Sequence, residues 1–153
     1  MRRISGQHLL FDWNVNACTG VFPYQNFYPG NKYVDILGLD FYDDGCDTPT
    51  TPLTFPQLAN ETEGLKYFEG FANARRKPMS LPEWGLLVTP SGDDPAYIDG
   101  IGTTVAEGDF AFETYFDQAG SPLTTLPLSA STPLSVAEFQ IWFGNASQID
   151  VSN

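Results

Sequence analysis

The 153-residue sequence predicts an α/β fold of four parallel βα units, a partial (β/α)8 TIM barrel. Three observations carry that expectation. Short apolar segments with strand character are separated by helical patterns or long crossovers, which parallel strands require. There are four such units, the first with a crossover poor in helical pattern. A complete barrel takes about 250 residues, so the chain reads as a fragment, a single domain spanning 1–153.

Residues 7–13 read as a buried strand running into a polar loop over 14–18. The second strand covers 33–42. Val34, Ile36, Gly38, Asp40 and Tyr42 share one of its faces, and Leu37, Leu39 and Phe41 the other. The wholly apolar face suits helices, and the face ending in Asp40 and Tyr42 suits the barrel mouth. A loop rich in Asp, Thr and Pro continues to about Pro56. Leu65, Phe68, Phe71 and Ala72 recur at helical spacing within a helix over 61–76, which ends in the cations Arg75, Arg76 and Lys77. A short third strand over 78–85 is entered through Pro78. Asp94 and Pro95 start the next helix as N-cap and first residue, and it runs to about Glu107. The fourth strand covers 110–116, and a closing amphipathic helix over 135–143 stops at Gly144.

A net charge of −12, from 19 acidic and 7 basic residues, argues against nucleic acid or an anionic membrane as partner. The hydrophobic share of 42% argues for a packed core rather than disorder, and no apolar run approaches the length of a membrane span. Arg2 and Arg3 have no apolar stretch behind them, so residues 1–6 do not read as a working signal peptide. The lone His8 and two cysteines without ligand spacing argue against zinc or haem, and no cofactor is expected. Asp40, Asp43, Asp44 and Asp47 lack the spacing of a calcium loop and read as a solvated acidic loop. Cys18 and Cys46 lie just past consecutive strands on one rim, where a disulfide would tie two loops together; two free thiols are the alternative. Asn60-Glu61-Thr62 and Asn145-Ala146-Ser147 fit the glycosylation sequon, which is short enough to recur by chance.

Reactive groups in parallel α/β folds collect at the carboxyl ends of the strands. Strand alternation puts Met79, Leu81 and Glu83 on one face, so Glu83 emerges at a strand tip ahead of Trp84 and Gly85. A carboxylate beside aromatic rings suits sugar hydrolysis: the acid acts as nucleophile or proton carrier, and the rings stack on a pyranose. Trp13, Tyr42 and Tyr115 add rings to the same rim; each alone reads first as packing, and their convergence on strand ends is what points to a site. Glu113, on a face with Ala111 and Tyr115, is a further acid weighed as a catalytic partner. Asp12 and Asp40 read as groups that hold loops or bind sugar hydroxyls.

The segment Tyr28-Pro29-Gly30-Asn31-Lys32-Tyr33-Val34-Asp35-Ile36-Leu37-Gly38-Leu39-Asp40-Phe41-Tyr42 resembles the YPG-x-x-YVD-x-x-G-x-D-x-Y segment of glycoside hydrolase family 26, the β-mannanase-like family. Lys77-Pro78 through Pro82-Glu83-Trp84-Gly85 is similar to that family's KP…PEWG segment. Trp13 with Asn16 resembles its W…N pattern, and the run from Gly92 to Tyr97 its GDDP-x-Y helix entry. The resemblance spans roughly residues 8 to 144 and implies the C-terminal half of the catalytic domain, strands five to eight. It implies a secreted, retaining hydrolase of β-linked polysaccharide, mannan-type first, with a polysaccharide or oligosaccharide as its partner. Glu83 falls on the family's nucleophile and Tyr42 on the tyrosine that hydrogen-bonds it. Trp13, Asn16, Asp40, Trp84 and Tyr115 become substrate-binding candidates, with Tyr115 or Phe116 where the family commonly has a tryptophan. The family's acid/base glutamate lies on the fourth strand, which places it upstream of residue 1. The fragment alone is then expected to be inactive, needing a missing N-terminal half-barrel or self-association. The alternative is a non-catalytic carbohydrate-binding half-barrel.

Overall fold

The computed structural model describes residues 8–18, 23–46, 51–88, 91–118 and 125–144. Its elements are β1 (Asp12–Asn16), a 3-10 turn (Tyr24–Phe27), β2 (Ile36–Tyr42), α1 (Phe55–Ala59), α2 (Leu65–Asn73), β3 (Met79–Leu87), α3 (Pro95–Glu107), β4 (Phe110–Tyr115), β5 (Thr125–Leu126) and α4 (Pro133–Phe143). Strands β1 to β4 lie side by side in chain order, each parallel to the next, and the short β5 pairs antiparallel with the end of β3. This is the expected fold class: part of a barrel, with helices packed on one face of a parallel sheet. The readings for residues 1–6, Asp47 and the sequon at 145–147 fall outside the described residues.

The core fills the space between sheet and helices. Leu37, Leu39 and Phe41 of β2 are buried there, as the alternation predicts, with Leu81, Trp84 and Leu86 of β3. Leu65, Phe68 and Phe71 of α2 and Tyr97, Ile98 and Ile101 of α3 meet them from the other side. Asp94 caps α3 by accepting the Ala96 and Tyr97 amides at 3.0 and 3.1 Å, which satisfies two of the free donors at a helix start.

Several elements differ from the sequence reading. β2 begins at Ile36, β5 is an additional strand, and β3 runs on to Leu87, so Glu83 lies within β3 rather than at its tip. β1 covers Asp12–Asn16 rather than 7–13, pairing Asp12 with Ile36 through Asn16 with Asp40. Its polar residues Asp12, Asn14 and Asn16 all lie on one exposed face, so hydrophobicity misplaces the strand onto Leu9 and Leu10, which are 63% and 70% exposed. The single helix over 61–76 is shorter, because Glu63 has a positive φ of 63° and Gly64 begins α2. A separate α1 precedes it, started by a capping box between Thr54 and Gln57. Finally, α4 is not amphipathic. Phe139 and Phe143 face the core beside Trp84, while Leu134 and Ile141 stand exposed on the outside.

Candidate active site

The position of Glu83 rests on a β-bulge. Along β2 and β3 the register passes from Gly38 opposite Ser80 to Phe41 opposite Trp84, so β3 carries one extra residue. The β4 side shows the same insertion between Leu81 opposite Glu113 and Trp84 opposite Tyr115. Two residues opposite one is a bulge, and proline is tolerated there because it has no ladder amide to lose. Pro82 and Glu83 occupy it. Leu81 and Trp84 therefore face the helices, while Pro82 and Glu83 both turn to the opposite, inner face. Strict alternation groups Glu83 with Met79 and Leu81; that grouping is wrong, since Met79 and Leu81 are core residues.

On the inner face, Tyr42 at the tip of β2 donates its hydroxyl to Glu83 Oε1 at 2.7 Å. Burial, with the bond to Glu83, holds the Tyr42 phenol well above its usual range, so it remains a proton donor. Beneath this pair runs a polar floor that crosses three strands. Asn14 Nδ2 donates to Asp40 Oδ1 at 2.9 Å, and Ser80 Oγ donates to Asp12 Oδ2 at 2.6 Å. Gly38 sits between them: a Cβ at this position would stand 2.8 Å from both Asp12 Oδ1 and Pro82 Cγ. Desolvation raises the Asp40 carboxyl above its ordinary value, against the Asn14 bond and with the charges of Glu83 and Asp12 adding to the rise. Desolvation likewise raises Asp12, opposed by Ser80.

A hollow of ≈ 230 Å³ opens over Glu83, walled by Asn16, Asp40, Tyr42, Asp44 and the Cys18–Cys46 pair. The two cysteines form a disulfide with their Cα atoms 4.8 Å apart, and Cys46 N donates to Glu61 Oε2 at 2.9 Å. The hollow is smaller than a ligand cleft of about 300–1,000 Å³. A larger hollow of ≈ 640 Å³ lies on the outer side, between residues 52–56 and α3, away from the strand tips.

The structure thus brings Glu83, Tyr42, Asp40 and Asn16 together and sends the aromatic candidates elsewhere. Trp13 lies on the helix side of β1, with its ring centroid 5.0 Å from Tyr28 and 6.0 Å from Phe71. Trp84 is 0% exposed and donates Nε1–H to Glu113 Oε2 at 2.7 Å. Tyr115 packs edge-on against Trp84 and donates its hydroxyl to Leu126 O. All three are packing residues, because the apolar helix side of the sheet is where large rings bury most area. Glu113, tied to the Trp84 indole, is on that side too and does not face Glu83. Of the two rings at the end of β4, Phe116 lies toward the site: a Cβ on Gly85 would meet Tyr42 Cε1 at 3.3 Å and Phe116 Cβ at 3.8 Å. Asn14 and Ser80 escaped the sequence reading. Placing β1 at 12–16 would have put Asn14 on the inner face with Asp12 and Asn16.

The acidic loop differs from expectation as well. Asp43 is not solvated but fully buried, accepting the Leu87 amide on Oδ1 at 2.8 Å. Desolvation pushes its carboxyl up to about 7.

Comparison with known proteins agrees with this architecture. Residues 2–75 match the family model of glycosyl hydrolase family 26. An endo-β-1,4-mannanase double mutant from Cellulomonas fimi superimposes with a TM-score of 0.57 at 21% identity, covering 90% of this chain and 30% of that one. A family 26 β-mannanase from Bacteroides ovatus gives 0.56 at 18% identity, covering 89% and 37%. The catalytic domain of a family 26 endo-β-1,4-mannanase from Bacillus sp. JAMB-750 gives 0.55 at 20%, covering 89% and 38%. The chain spans about a third of the length of these solved structures. No curated protein sequence matches it. Residues 2–75 are thus similar in sequence to glycosyl hydrolase family 26, and the chain has the fold of part of a barrel like those of these mannanases.

Proposed function

We propose that this chain supplies the nucleophile side of a retaining glycoside hydrolase acting on β-linked polysaccharide, β-1,4-mannan first. The observation that carries the reading is the Tyr42–Glu83 hydrogen bond, made between the tip of β2 and the bulge within β3 and facing the hollow. One oxygen of Glu83 is held by a phenol that keeps its proton, which orients the other oxygen toward an anomeric carbon. In a retaining mechanism Glu83 attacks that carbon as the glycosidic bond breaks, and a second carboxyl about 5–5.5 Å away protonates the leaving oxygen. Water, deprotonated by the same second group, then hydrolyses the glycosyl-enzyme. We assign this acid/base to a glutamate outside these 153 residues, on the other half of the barrel. Exposed Leu9, Leu10, Leu134 and Ile141 fit a chain whose flanks are covered by further protein. In this reading Asp40 and Asn16 bind sugar hydroxyls, and Phe116 stacks on a ring.

The disulfide fits an exported enzyme, since such bonds persist in oxidising compartments. The rival reading, a non-catalytic carbohydrate-binding half-barrel, depends on an aromatic rim. With Trp13, Trp84 and Tyr115 turned toward the helices, that rim is reduced and the catalytic reading is favoured.

The test is mannan hydrolysis by a protein carrying this segment within a whole barrel, compared with its Glu83→Gln variant. The expected loss is about 10³-fold or more in kcat, the scale on which removing a nucleophile acts. Undiminished hydrolysis sinks the assignment. Sugar affinity of the 153-residue chain without any turnover in the whole barrel favours the binding module.

A further inference from the structure

Pro82 and Glu83 share the bulge of β3, so the direction of the second depends on how the first is seated. Proline fixes its own φ at about −65° and needs no ladder partner for its nitrogen. Once the pyrrolidine ring is held, little freedom remains in the step that leads to Glu83.

The seat lies on β2. A Cβ at Gly38 would stand 2.8 Å from Pro82 Cγ, closer than real Cβ atoms approach a neighbour. The ring therefore fills room that any other residue at 38 would take for itself. Asp12 Oδ1 at 2.8 Å and Asn14 Oδ1 at 3.0 Å bound the same notch from β1. Neither wall is free to swing aside: Asp12 Oδ2 accepts the Ser80 hydroxyl at 2.6 Å, and Asn14 Nδ2 donates to Asp40 Oδ1 at 2.9 Å. Asn14, Gly38 and Ser80 are partners in register across the three strands, which puts the notch on the inner face just before the bulge. A bulge re-aims a side chain, and this notch is where its leading residue is gripped.

We infer that Gly38 and Pro82 are positioning residues for Glu83: the proline ring keyed into the glycine notch holds the bulge in the setting that brings the carboxylate to Tyr42. The 2.7 Å bond between Tyr42 and Glu83 is the result of that seat. Its catalytic meaning rests on the proposed role of Glu83, whereas the seat itself is read without turnover. A methyl group in the notch lifts the ring and displaces Glu83; loss of the ring empties the notch and loosens Glu83. Misplacing a reacting group by about 1 Å costs up to about 10²-fold in rate.

The experiment compares Gly38→Ala, Pro82→Ala and the double variant in a protein carrying this segment within a whole barrel. Each single change is expected to lower kcat on mannan about 10- to 100-fold with KM within about twofold. Both act on one contact, so the double variant is expected to lose no more than Gly38→Ala alone. Asp94→Ala, which weakens only the α3 cap, controls for lost stability and is expected to keep its kcat. The bond is read separately by 13C NMR at Tyr Cζ, where the Tyr42 signal of both single variants is expected to move toward its position in Glu83→Ala. A Tyr42 signal unmoved in Pro82→Ala overturns the seat, even if Gly38→Ala does not fold. So do losses that multiply in the double variant, a loss carried by KM, or an equal loss in Asp94→Ala. Wild-type kcat in Pro82→Ala does the same where Glu83→Gln abolishes hydrolysis. A shifted Tyr42 signal with undiminished hydrolysis by the Glu83→Gln barrel upholds the seat and removes only the catalytic assignment.

Discussion

Replacing Trp84 with phenylalanine separates a packing role from a sugar-platform role. The indole is wholly buried among Tyr97, Tyr115, Phe139 and Phe143, and its N–H bonds the half-buried Glu113 carboxylate. A hydrogen bond to a charged group is worth about 1.5–3 kcal/mol. Shrinking a buried ring adds about 1–2 kcal/mol for the space left behind. Trp84→Phe is therefore expected to cost about 2.5–5 kcal/mol, which at a slope of about 2 kcal/mol per molar lowers the urea midpoint by roughly 1–2.5 M. The deficit also depends on pH. Burial raises the Glu113 carboxyl and the indole bond lowers it, so without the indole Glu113 takes up its proton at a still higher pH. The deficit is then complete where Glu113 is ionised and shrinks as acid neutralises it. Equilibrium denaturation at several pH values measures both. A variant that keeps its unfolding free energy within about 0.5 kcal/mol while losing sugar affinity would refute the placement of Trp84 in the core.

Other expectations follow from the same geometry. Tyr42→Phe in a whole barrel deletes a charge-assisted bond and should lower kcat by roughly 10- to 100-fold with little change in thermal stability, as steady-state kinetics will show. Gly38→Ala drives a methyl against Asp12 and Pro82 and should cost about 1–3 kcal/mol in denaturant unfolding. The double change Cys18→Ser with Cys46→Ser opens a loop of 28 residues' separation and should cost about 3–4 kcal/mol by chain entropy. Asp94→Ala removes the α3 cap and should cost about 1 kcal/mol in the same assay.

The residues of β2 show how far a sequence can be read unaided. Leu37, Leu39 and Phe41 alternate with Gly38, Asp40 and Tyr42 without interruption, and the strand folds with those two faces, because β1 pairs with it in unbroken register and the extra residue of the bulge lies on β3. The Asp94-Pro95 helix start was equally legible, since capping is a local hydrogen-bond transaction between adjacent residues. β1 was less so. Its inner face is polar and rests on a partner 24 residues or more away, so hydrophobicity pointed to the exposed Leu9 and Leu10 instead.

Sequence by itself settled the class of fold, the order of its units and the acids worth suspecting, since these depend on periodicity, chain length and residue chemistry. The directions in which those groups point were decided only by the assembled sheet. A single extra residue at Pro82–Glu83 turns the glutamate inward beside Tyr42 and sends Trp84 into the core. Bulges follow from the fit between a strand and both its neighbours. Burial of Asp43 likewise depends on β3 and α3 closing over it, which no local pattern encodes.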